Sequence, residues 1–236
     1  MRGGAAALGL KARNVVLVHG AFADGSSWNA VTERLQAAGL NVIAVQNPLT
    51  SLADDVGATN RALAQMDGPT VLVGHSWGGS VITEAGVDPK VIALVYVAAL
   101  APDVDEDFPT LAAKFPPAPA AKGFQLKEGH LPLSQDAFLN DFAQDVPRAK
   151  VLAIFAAQAP VVANLFAAKA KNAAWRQKPS YYAVATLDRT VPPPALQRFE
   201  AARMKAHTVE VAASHVAMVS QPAAIAALVM RACRGT

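Results

Sequence analysis

Four runs in this 236-residue chain are apolar at nearly every position instead of every second one: NVVLV at 14–18, TVLV at 70–73, KVIALVYVAAL at 90–100 and SYYAVA at 180–185. A strand with one wet face alternates, so strands without alternation must be covered on both faces, as in a parallel sheet between helical layers. The segments between them supply such helices. SSWNAVTERLQAAG sets Trp28, Val31 and Leu35 at helical spacing, with Ser26 or Ser27 as cap and Gly39 as stop, and Ser51 to Asp67 sets Leu52, Val56 and Leu63 on one face. NVIAVQNP and HTVEVAA read as two further strands, SVITEAGV as a helix, and Pro193–Lys205 and Gln221–Ala232 as the last two helices. Strand and helix in alternation predict an α/β fold with a mostly parallel central sheet and helices on both faces.

The pattern breaks between Asp103 and Lys178. Prolines crowd this stretch, among them Pro109, Pro116, Pro117, Pro119, Pro132, Pro147 and Pro160, and no clear strand appears. Apolar helical pieces such as VLAIFAAQAPVVANLFAAKA lie between polar turns. The expected organisation is a single domain over residues 14–236, interrupted by a helical cap insertion at about 103–178, after an N-terminal tail at 1–13.

Composition narrows the function classes. Apolar residues make up 53% and charged residues 17% of the chain, the composition of a buried globular fold and not of a disordered chain. The net charge is +3, but the basic residues are scattered and no basic stripe with interleaved aromatics occurs, so nucleic acid is not an expected partner. No apolar run reaches the roughly 18 residues of a membrane helix, and no membrane partner is expected. The lone Cys233 excludes an intrachain disulfide and a cysteine-rich metal site. The head MRGGAAALGLKAR is too short in apolar residues for a signal peptide. The expected location is cytoplasmic, or exported if a leader has been trimmed. The sequence sets no oligomeric state.

One stretch carries chemistry. In GHSWGG, at 74–79, Ser76 stands where the strand PTVLV runs into the helix SVITEAGV. A nucleophile elbow needs that context, because a sharp strand-to-helix turn holds the serine oxygen exposed above the sheet. Side chains at Gly74 and Gly78 would collide with the neighbouring helix and strand across so tight a turn. The alternative is that Ser76 only caps the helix.

A serine hydroxyl needs a base within reach and a group that fixes the base. His215 lies in a loop after HTVEVAA, at the carboxyl end of a strand, where catalysts gather in parallel sheets. His19 and His75 adjoin glycine loops and read as structural; His130 falls in the cap and His207 opens a strand. Asp188 ends SYYAVATLD and is the candidate acid, with the carboxylates of DVDED, Asp103 to Asp107, as runner-up. Acyl transfer also needs oxyanion donors. Trp77 offers its backbone N–H at the helix start, and the HGAF loop offers Ala21 or Phe22.

In the order VVLVHGAF...SSW, VLVGHSWGG, YAVATLDRTVPP and VEVAASHVAMVSQP, the chain resembles the α/β-hydrolase superfamily from about Asn14 to the final helix. More narrowly it is similar to small bacterial hydrolases related to plant hydroxynitrile lyases and to methylesterases of salicylate-type hormone esters. The resemblance implies the α/β-hydrolase fold, Ser76 as nucleophile, His215 as base, Asp188 as acid, and no cofactor. Two departures bear on the reaction. Hydroxynitrile lyases of this type have a threonine after the first-strand histidine and a lysine beside the catalytic histidine, where this chain has Gly20 and Val216. An esterase or lactonase acting on a small molecule is therefore expected, with a non-catalytic binding homologue or a lyase or acyltransferase as alternatives. Phe155, Leu165, Phe166 and Trp175 are the candidate pocket residues.

Overall fold

The computed structural model describes residues 9–190 and 192–236. Residues 1–8 of the expected tail, and Val191 in the RTVPPP turn, lie outside the described residues. The chain runs β1 (Asn14–Val18), α1 (Asn29–Ala37), β2 (Asn41–Val45), α2 (Leu52–Ala64), β3 (Thr70–His75), α3 (Gly78–Ala85) and β4 (Val91–Val97). After β4 come three short helices, α4 (Phe108–Ala112), α5 (Gln135–Ala137) and α6 (Arg148–Ala156). Then follow β5 (Ser180–Ala185), α7 (Pro194–Arg203), β6 (His207–Val211), α8 (Ala217–Ser220) and α9 (Pro222–Arg234).

All six strands pair in parallel, in the order β2-β1-β3-β4-β5-β6. The strands without alternation are the four inner ones, and β1, β3 and β5 are buried at every residue. The edge strands β2 and β6 are partly exposed. Right-handed crossovers fix which helix covers which face. The step from β1 to β2 runs opposite to the later steps, so α1 shares a face with α9, while α2 and α3 pack together on the other.

Two local expectations are corrected. The cap of the first helix is not Ser26 or Ser27: a 3₁₀ turn, Gly25–Trp28, precedes α1, and the Asp24 carboxylate accepts the Ser26 N–H at 2.7 Å. Asp24 wins because its oxygen reaches the first free N–H groups of that turn, and Ser27 spends its hydroxyl on the Asp24 carbonyl. The apolar stretch 151–170 is helical only in part. α6 ends at Ala156, and the next helical piece is the 3₁₀ turn Leu165–Ala167. Pro160 has no N–H and holds the preceding residue extended. The freed backbone bonds across instead, with the Leu131 N–H donating to the Val161 carbonyl.

Candidate active site

Register places the site. Val18 lies opposite Gly74, so the HGAF loop after β1 and the turn after β3 leave the same edge side by side. The strand order reverses between β1 and β3, which opens a crevice there. Ser76 turns the chain with φ of +51°, a left-handed conformation that costs about 1 kcal/mol in a residue with a Cβ. A Cβ on Gly74 would stand 2.5 Å from the Gly78 carbonyl oxygen, and one on Gly78 would stand 2.5 Å from that of Val18. The turn can close only because both positions lack side chains.

On the same edge, Asp188 and His215 follow β5 and β6 and meet: Nδ1 of His215 lies 2.7 Å from Oδ2 of Asp188, with both side chains buried. An ionised carboxylate only accepts, so Nδ1 carries the proton and Nε2 holds the ring's free lone pair. Asp188 is held firmly in turn. Its Oδ2 also accepts from Nε2 of Gln197 at 2.8 Å, and its Oδ1 accepts both the N–H and the hydroxyl of Thr190 at 2.8 Å. Gln197, itself fully buried, accepts the Ala185 N–H with its other end, so α7 ties the acid to the end of β5.

His19 and His75 brace the loops from below. Nδ1 of His19 donates to the Gly20 carbonyl at 2.8 Å and Nε2 accepts the Asn47 N–H at 2.9 Å, a neutral ring stitching β1 to the loop after β2. Nε2 of His75 donates to the His215 carbonyl at 3.0 Å, joining the serine turn to the loop of the candidate base. Burial lowers the basicity of both rings, that of His75 strongly, which keeps them neutral.

The Trp77 indole has a partner absent from the sequence reading. Its Nε1–H donates to Oδ2 of Asp55 at 2.7 Å, while Oδ1 of the same fully buried carboxylate accepts the Leu49 N–H at 2.8 Å. Burial raises the Asp55 carboxyl above its ordinary range, against the pull of those two donors. In the sequence Asp55 looks like one more polar residue at the start of a helix. The backbone N–H groups of Ala21, Phe22 and Trp77 meet no protein acceptor among the described residues. Phe22 has φ of +63°, and Trp77 immediately precedes α3, whose positive dipole end favours a developing negative charge.

Ser76 and His215 line one tight cavity with Thr190, Phe22, Phe142 and Phe166, with room of about 10 Å³. Of the four candidate pocket residues, Phe166 lines this cavity. Phe155 packs edge-on against Phe138, 5.5 Å between centroids. Leu165 borders a separate surface hollow with Thr50 and Leu52. Trp175 bonds the Pro102 carbonyl through its indole N–H and stacks under Arg203. Sequence reasoning overlooked Phe124, Leu133 and Phe142, which also line the cavity. His130 is exposed and bonds the Glu128 carbonyl, and His207 stacks on Tyr181 at the other end of the sheet. Three of the DVDED carboxylates serve structure: Asp103 pairs with Arg176, Glu106 with Arg203, and Asp107 caps α4. Among the described residues no cluster of metal-ligating side chains occurs, and no helix is long and apolar enough to cross a membrane.

Comparison with known proteins bears on the fold. Among solved structures, the chain is similar to an extracellular alpha/beta-hydrolase from a Paenibacillus species, described as sharing structural and functional homology with tobacco salicylic acid binding protein 2. The two are 23% identical, with TM-score 0.78, over 94% of this chain and 99% of the other. It is also similar to a pyrethroid hydrolase from Sphingobium faniae, at 22% identity and TM-score 0.72 over 94% and 98% of the two chains. A third is a polyneuridine aldehyde esterase, at 19% and 0.76 over 92% and 97%. At these identities the likeness is one of fold. No curated protein matches the chain by sequence. The model of the "Alpha/beta hydrolase family" matches residues 15–228, which reach all six strands and every loop of the site, and the chain belongs to that family.

Proposed function

We propose that this protein hydrolyses a carboxylic ester or lactone of a small molecule through an acyl-enzyme. The observation that carries the reading is the 2.7 Å bond from His215 to Asp188 at the wall of the cavity that holds Ser76. In this mechanism Nε2 of His215 takes the Ser76 proton as Oγ bonds to the carbonyl carbon. Asp188 keeps the ring in the required tautomer and stabilises the imidazolium. The carbonyl oxygen becomes an oxyanion facing the Trp77 N–H and the N–H of Ala21 or Phe22. As the C–O bond breaks, His215 returns its proton to the leaving alcohol. Water, deprotonated by the same nitrogen, then releases the acid and Ser76.

Two of the similar structures belong to proteins named as an esterase and a pyrethroid hydrolase, which supports an ester as the substrate class. Val216, in place of a lysine beside His215, leaves no cation there for a cyanide leaving group and disfavours the lyase reading.

The test is p-nitrophenyl acetate turnover. Ser76→Ala should lose at least about 10³-fold in kcat, and a fluorophosphonate should label the wild type at one site per chain. Full activity in Ser76→Ala together with an unlabelled wild type would overturn the proposal. Ligand retention without a burst of product would instead favour a binding protein.

A further inference from the structure

Phe166 faces two cavities. One is the chamber of Ser76 and His215; the other is lined by Trp77, Leu100, Phe108 and Leu111, with the acidic residues Glu106, Asp107 and Glu200 also in its wall. Each has room of about 10 Å³, space for about one water, whereas pockets that enclose small organic ligands span roughly 300–1,000 Å³. Neither chamber alone can take a long alkyl chain. The two share Phe166 as a wall residue.

Trp77 and Phe166 differ in how they are held. Trp77 is buried and pinned by Asp55. Phe166 is half-buried, sits on the three-residue turn Leu165–Ala167, and is held by apolar packing, with rings at 5.7 Å to Trp77, 6.1 Å to Phe108 and 6.4 Å to Phe22. A phenyl ring without a polar anchor can change rotamer or be removed at low cost; the tryptophan cannot.

Chemistry assigns the chambers. In the acyl-transfer reading, on which this inference rests, His215 must hand its proton to the leaving alcohol, so the alcohol lies on the His215 side. The second chamber has no His215 in its wall and begins at Trp77, whose N–H faces the carbonyl oxygen. We propose that this second chamber receives the acyl chain and that Phe166 is the residue that sets its length. Short acyl groups fit with the ring in place, and long unbranched chains enter along the Trp77 indole only when the ring is displaced.

The test compares p-nitrophenyl acetate and octanoate in wild type, Phe166→Ala and Phe166→Leu, with Phe124→Ala as a control that widens only the Ser76 chamber. The octanoate-to-acetate ratio of kcat/KM should rise at least about tenfold in Phe166→Ala, by less in Phe166→Leu, and stay within about twofold in Phe124→Ala. A ratio unchanged in Phe166→Ala, or raised equally by Phe124→Ala, overturns the proposal. Calorimetric titration with octanoate and butyrate reads the same chamber without turnover. Phe166→Ala should tighten octanoate relative to butyrate at least about fivefold, and an unchanged ratio also counts against the proposal. Loss of all ester turnover in the wild type would break the acyl-transfer reading, while the titration would still decide the role of Phe166.

Discussion

The carboxyl edge of the sheet and the segment over it are held by different forces. At the edge, nearly every side chain that matters ends in a short bond to a buried partner: His215 to Asp188, Asp188 to Gln197 and Thr190, Trp77 to Asp55, His75 to the His215 carbonyl. Over the cavity the contacts are rings on rings, Phe22, Phe124, Phe142 and Phe166 at centroid distances of 5.6 to 6.4 Å. Directional bonds fix an atom to within a few tenths of an ångström, whereas aromatic packing tolerates sliding and replacement. The proposed chemistry rests on the first kind of support and the proposed shape selection on the second.

Substitutions at three positions probe that contrast. The largest effect is expected from Gln197→Met, which strips Asp188 of one donor and leaves the Ala185 N–H buried without an acceptor. Stability should fall by about 3 kcal/mol and kcat by about tenfold to a hundredfold, read by urea unfolding and ester turnover. Gln197→Glu separates positioning from packing: it can still accept from Ala185 but sets a second carboxylate against Asp188, so the acid limb of kcat/KM should move to higher pH. Unmoved kinetics in both variants would show that the acid needs no such support.

Glu200 comes next. It accepts the Ala101 N–H at 2.8 Å, lies 3.8 Å from Arg203, and burial raises its carboxyl to about 8. The native state therefore keeps the proton at pH values where the unfolded chain has lost it. This contribution is complete below the unfolded value near 4.5 and is lost as pH rises through about 8. Across that window stability should decline by on the order of 1 kcal/mol per pH unit, and Glu200→Gln should flatten the decline in thermal melts taken from pH 5 to 7.5. An equal slope in the variant would mean that the carboxyl is ionised in the fold. The smallest effect is expected for Phe155→Ala, which removes one edge contact with Phe138 away from the cavity. A stability loss of about 1 to 2 kcal/mol with acetate turnover within twofold is the expected outcome. A large loss of turnover would mean that packing in this segment also positions the chemistry.

Legibility in the sequence followed the same division. β1, β3, β4 and β5 could be read because burial on both faces leaves an unbroken apolar run, and the turn at Ser76 because its glycines sit between a strand and a helix. Ser76, Asp188 and His215 stood out because each follows a strand in an order that one fold explains. The strand order itself could not be read, since it depends on which crossovers pass over β1. Asp55 and Gln197 were hidden because a polar residue on a helix looks like solvated surface until a neighbouring element closes over it. The segment between β4 and β5 was read least well. Its apolar stretch around Pro160 has helical composition, but the proline stops the helix, and which rings then face the cavity depends on packing that no periodicity encodes.

The bond from His75 to the His215 carbonyl spans 140 residues of sequence and runs through the fully buried middle of the molecule. A local opening that released the loop after β6 would have to break it and expose the strand that bears Ser76. In hydrogen exchange the amides of β3 and of the segment around His215 should then share one opening free energy. Damage or denaturant would not leave behind a population that keeps Ser76 in its turn and has lost His215 from its loop; the two would be present together or not at all.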